Sequence, residues 1–123
     1  MTTLSEPNYT GDVVLWEEDA FYSRDEAIII SGQNVKIGAV LGQITASGKW
    51  TLSAPGASDG SQAPKGVLVH ADVDATGGDA AGVILVREAR VRRAGLIFHS
   101  TIDDATKRNT AVAALKAVGI IAS

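Results

Sequence analysis

Val35-Lys-Ile-Gly-Ala-Val-Leu-Gly-Gln-Ile-Thr45, followed by Ala-Ser-Gly-Lys-Trp50-Thr-Leu52, decides the fold class. Its first eleven residues are β-branched and roughly alternating, the period of a strand with one buried face. Gly38 and Gly42, four apart, are the exceptions, and glycines inside a strand pattern mark a bulge or a close backbone approach. Ser47-Gly-Lys49 is a tight-turn signal leading into a second β-rich piece, so residues 40–52 read as a hairpin.

The same texture extends in both directions. Upstream, Glu26-Ala-Ile-Ile-Ile30 runs into the turn cluster Ser31-Gly-Gln-Asn34. Downstream, the small and polar residues 53–64 form a surface loop, and Gly66-Val-Leu-Val-His70 is a short apolar strand. Residues 71–79 read as a turn-rich link. Ala81-Gly-Val-Ile-Leu-Val86 continues directly into Arg87-Glu-Ala-Arg-Val-Arg-Arg93, which reads as one strand leaving the core with a solvated face. Leu96-Ile-Phe98 is a last short apolar piece. The period then changes: Ala111, Leu115 and Val118 recur at i, i+4, i+7, with Val112 widening the stripe. Asp103 or Thr101 can cap this helix, Lys116 suits its last turn, and Gly119 suits the left-handed C′ position. The helix is expected over about residues 103–118, leaving Ile120 and Ile121 free to pack. The expectation is a mainly-β single domain: a small β-barrel or β-clip-like body of short strands, with a C-terminal α-helix and a flexible N-terminal arm.

The arm is read from charge. Residues 1–26 carry seven acids against Arg24 alone, a net −6; the remaining residues hold ten Lys/Arg against seven acids, a net +3. Pro7, Asn8, Thr10 and Gly11 interrupt any regular element, and the first twenty residues cannot bury enough apolar surface to order themselves. Residues 1–20 are therefore expected to be an arm, and 21–123 the folded domain. Val13, Leu15 and Trp16 stand out within the arm, because an indole beside aliphatics is costly to leave in water without a partner.

Composition narrows function further. The 123 residues suit one domain, with 46% apolar and 20% charged residues. No apolar run reaches the roughly 20 residues of a membrane span, and residues 1–7 lack the basic and apolar regions of a secretory signal. With no cysteine there is no disulfide, thiolate nucleophile or cysteine metal cluster, and two histidines do not make a His-rich site. No cofactor is expected.

Three arrangements carry possible chemistry. Asp72-Val-Asp-Ala-Thr-Gly-Gly-Asp79 begins like a calcium loop, but its twelfth position is Val83 rather than a bidentate Glu, and no helices flank it. His99, Ser100 and Asp103 hold the groups of a hydrolytic triad, yet triads are defined by geometry and not by adjacency. The arginines at 87, 90, 92 and 93 could track phosphates, but the chain is acidic overall and has only six aromatic residues for base stacking. Nucleic acid is therefore not the expected partner, and a partner's carboxylate surface or the chain's own acidic arm suits these arginines better. A carbohydrate- or ligand-binding β-domain of a surface or tail structure is the alternative. It would depend on Trp16, Trp50, Tyr9 and Tyr22 as platforms, two of them in the arm.

The stretch from Val35 to Trp50 resembles the first half of the lambda-type phage head decoration proteins. So do Asp59-Gly-Ser-Gln-Ala-Pro-Lys-Gly-Val-Leu68 and the Asp72–Asp79 turn. Thr106-Lys-Arg-Asn-Thr-Ala-Val-Ala-Ala-Leu115 with Gly119-Ile-Ile121 resembles the family's terminal helix and last apolar residues, so the likeness spans about residues 26–121. The resemblance implies a homotrimer, made in the host cytoplasm, that binds the outside of an expanded icosahedral head at three-fold and quasi-three-fold sites. There it would clamp neighbouring copies of the major capsid protein against the pressure of packaged DNA. It further implies that the arm orders on the capsid by adding a strand, with Val13, Leu15 and Trp16 as its anchors. The run at 87–93 is more basic than the family's pattern.

Overall fold

The structure is a computed structural model; it describes residues 13–17, the side chains of 15–17 excepted, and residues 24–122. Two units share one wall. The first is a closed barrel of five strands: β2 (Arg24–Ile29), β4 (Val40–Gln43), β5 (Trp50–Leu52), β6 (Gly66–Val69) and β8 (Ala80–Leu85). Its order is β2-β5-β4-β6-β8, closed by the long antiparallel ladder from Arg24 opposite Leu85 to Ile29 opposite Ala80. A two-stranded ladder of β3 (Asn34–Val35) and β7 (Val73–Asp74) accompanies it. The second unit is a three-stranded sheet in which β9 (Ala89–Val91) lies between β1 (Val14–Glu17) and β10 (Ile120–Ala122). Helix α1 (Ala105–Ala117) lies in the connection from β9 to its parallel neighbour β10, as a parallel pair requires a crossover.

The core divides in the same way. Ala27, Ile29, Leu41, Trp50, Leu68 and Ile84 fill the barrel. Val40, Val67, Val69 and Leu85 point the other way, against Val13, Val91, Leu115 and Ile120 of the sheet and helix. The wall β4-β6-β8 is thus covered on both faces, which is why Gly66-Val-Leu-Val69 is wholly buried and reads as an unbroken apolar run. Each fully buried aliphatic in this wall contributes about 1.5–3 kcal/mol relative to exposure.

The hairpin at 40–52 forms as expected, with Leu41 opposite Leu52 and Gln43 opposite Trp50. Gly42 is the close approach its position suggested: a Cβ there would lie 2.1 Å from the Ser61 carbonyl oxygen. The rest of residues 35–45 is not one strand. Gly38, at φ +98°, divides it, so that β3 pairs with β7 while β4 enters the barrel. The link at 71–79 consequently contains a strand. A second correction concerns residues 81–93. The chain breaks between β8 and β9, where Glu88 takes a left-handed φ of +43° and Arg87 is held by Asp25, and the two strands belong to different sheets.

At the helix, Asp104 is the cap, in place of Asp103 or Thr101. Its backbone is extended (φ −132°, ψ 168°), and its Oδ1 accepts the Lys107 N–H at 2.8 Å. Asp103 instead pairs with Lys107 Nζ at 3.2 Å. Gly119 ends the helix at φ +95°, its N–H donating to the Lys116 carbonyl. Ile120 and Ile121 then enter β10, where one is buried and the other exposed.

Candidate functional site

The sheet β1-β9-β10 gathers the segments that the sequence singled out. β1 runs antiparallel to β9, with Val14 opposite Val91, Trp16 opposite Arg90 and Glu17 opposite Ala89, and an irregularity between Val14 and Trp16. The Val13 carbonyl accepts the Arg92 N–H at 2.6 Å, anchoring the start of β1. On the other side Ile121 stands opposite Arg90. Side chains alternate as strand geometry requires: Ala89, Val91 and Ile120 face the core, while Arg90 and Ile121 face solvent, Ile121 at 43% exposure. Among the described strands β1 pairs with β9 alone, so its outer edge has no strand partner.

Val13 is fully buried among Val91, Leu115 and Ile120, so its side chain serves the body's own core. Leu15 and Trp16 are placed in β1 by their main chain, and their side chains lie outside the described part. Residues 1–12 and 18–20, the rest of the expected arm, lie outside the described residues. Nothing in the sequence pairs Trp16 with Arg90 or Ile121, because three distant segments supply the row. Trp50, a platform in the carbohydrate reading, is buried in the barrel at 9% exposure and is not available to a sugar.

The fold divides the basic run. Arg87 donates from Nη1 and Nη2 to the two carboxylate oxygens of Asp25 at 3.2 and 3.0 Å, and Arg93 bonds Asn109. Arg90 and Arg92 are exposed, and among the described residues no carboxylate pairs with either.

The other candidates resolve into turn chemistry. Asp72 accepts the Ile37 N–H, Asp74 accepts from the Thr76 hydroxyl and N–H, and Asp79 accepts the Ser31 N–H while meeting Lys49 at 2.6 Å. These three carboxylates thus serve different partners, with none shared between them. The Thr76 hydroxyl holds the Asp74 carboxyl below its ordinary value, and Lys49 does the same for Asp79. His99 Nδ1 meets the Thr101 hydroxyl and N–H, while Asp103 meets Lys107, so no triad forms. Among the described residues no three His, Asp or Glu side chains converge as metal ligands. An open groove of about 240 Å³ between the 53–64 loop and α1 is lined mainly by Pro55, Ala63, Pro64, Ile102, Ala111 and Ala114. Its Ser53 hydroxyl is committed to the Ser61 carbonyl at 2.8 Å.

Among the described residues the polar side chains around the barrel secure turns, and the sheet beside it ends in the edge strand β1; the fold is that of a small mainly-β structural module. The chain belongs to the bacteriophage lambda head decoration protein D family, whose model matches residues 3–120, nearly the whole length. A search of curated proteins finds no match. Membership gives the protein a structural role on the phage capsid, in a family of head decoration proteins.

Proposed function

We propose that the protein binds as a homotrimer to the outside of the expanded head, at three-fold and quasi-three-fold sites, and stabilises the shell against the pressure of packaged DNA. Its partner there is the major capsid protein. The observation that carries this reading is the edge strand β1: residues 1–12 lead directly into it, and its outer edge has no strand partner among the described residues. A segment continuing from an anchored edge strand is suited to adding a strand to a neighbouring chain, where main-chain hydrogen bonds give affinity and alternate side chains give specificity. Of the three arm anchors, Val13 fixes the segment to the body, and Leu15 and Trp16 are the two proposed to meet the capsid.

The test uses purified expanded heads with and without saturating protein. Heads that melt or burst at a higher temperature when decorated support the reading; an unchanged melting temperature overturns it. A chain lacking residues 1–12 and carrying Leu15→Ala and Trp16→Ala is expected to fold and to lose head binding. Full binding by that chain would refute the strand-adding segment while leaving decoration itself intact.

A further inference from the structure

Arg90 and Arg92 are the two members of the basic run that the fold leaves without a partner among the described residues. They are two positions apart on extended backbone, Arg92 having φ −79° and ψ 118°, so both project from the same face. That spacing is roughly 6–7 Å along the strand, the interval at which an extended peptide presents alternate side chains. Ile121, one of three large exposed hydrophobics among the described residues, stands opposite Arg90 and adds an apolar element. We propose that this outward face of the sheet, built from Arg90, Arg92 and Ile121, docks an extended acidic segment of the capsid protein bearing carboxylates at alternate positions.

The inference rests on the head-binding reading above. Continuity selects the capsid as occupant: Arg92 donates its N–H to Val13, directly beside the segment proposed to reach the shell. A two-fold contact of this face with its own copy would set guanidinium against guanidinium; a three-fold contact joins two different surfaces and is read by the sedimentation measurement below. Arginine is also enriched among the residues that anchor protein interfaces.

The experiment measures binding to heads emptied of DNA, for the wild-type chain and for R90E/R92E, with R90A/R92A as a second variant that introduces no new charge. Wild-type affinity is expected to fall as salt rises from roughly 50 to 500 mM. The reversal variant is expected to bind at least about tenfold more weakly at low salt and to lose most of that salt dependence, with R90A/R92A in between. Melting temperature and sedimentation of the free variants should match the wild type. Equal binding by wild type and both variants overturns this inference alone. Failure of the wild-type protein to bind heads sinks the head-binding reading and this inference with it. Altered sedimentation of the variants would assign the face to a contact between copies, and duplex DNA binding lost in the variants would assign it to nucleic acid; either outcome overturns the proposal.

Discussion

Asp103 and Asp104 are adjacent, both exposed and both near Lys107, yet they do different work. Asp104 satisfies a helix N–H that has no partner within the helix, whereas Asp103 makes an exposed ion pair with the Lys107 ammonium. Asp104→Ala should therefore cost about 1 kcal/mol of stability in urea denaturation, and Asp103→Ala clearly less, because its ion pair is exposed to solvent. Equal losses would mean that the cap does not set the helix start. Gly42→Ala asks for room that the Ser61 backbone occupies, and should cost about 3 kcal/mol or more. The aspartates also set the response to acid. The carboxyls of Asp59, Asp74, Asp79 and Asp103 are all held below the ordinary 3.8, chiefly by the side chains of Ser61, Thr76, Lys49 and Lys107 respectively. A carboxyl depressed on folding adds stability that is complete well above 3.8 and is lost as pH falls through its folded value. The melting temperature should thus be flat near neutrality and decline below about pH 4. The D59N/D74N/D79N variant should show a shallower decline; an identical acid profile would exclude these turns as its source.

Among the elements, those defined by local chemistry were legible in the sequence. The 40–52 hairpin followed from alternation and the Ser47-Gly-Lys49 turn, and the C-terminal helix from its apolar stripe and Gly119. The elements that escaped are defined by distant pairing. β7 exists because β3 lies beside it, and β10 because β9, some thirty residues earlier, offers a parallel edge. The break after β8 carries no proline or glycine. It is set by the left-handed Glu88 and by the transfer of β9 to another sheet, so the alternation of Ala89 and Val91 merely continues the earlier pattern. The Trp16–Arg90–Ile121 row was invisible for the same reason, although each of its segments had drawn notice singly. The N-terminal segment supplies the sharpest test at this scale. With Val13 fully buried and its carbonyl bonded to Arg92, removing residues 1–12 should leave the unfolding midpoint nearly unchanged. Removing residues 1–17 should cost about 2 kcal/mol or more, from the lost aliphatic burial and the ladder of β1. Equal stability of the two truncations would mean that β1 does not hold to the body in solution.

At the scale of the whole molecule, a 12.7 kDa domain has little surface to spend on any one contact with a shell. A trimer removes that limit, because once one protomer is bound the other two meet their sites at a high effective concentration. Avidity can then exceed the single-site affinity by about 10²–10⁴ without any new contact. If the trimer is the binding species, head occupancy measured well below its dissociation concentration should rise with roughly the third power of total protein, the order set by three protomers assembling before they bind. Above that concentration the dependence should relax to first order, and the crossover should coincide with the change from monomer to trimer mass in sedimentation. First-order occupancy across the whole range, with the free protein sedimenting as a monomer, would show that single domains decorate the head independently, and any stabilisation of the shell would then have to come from each domain alone.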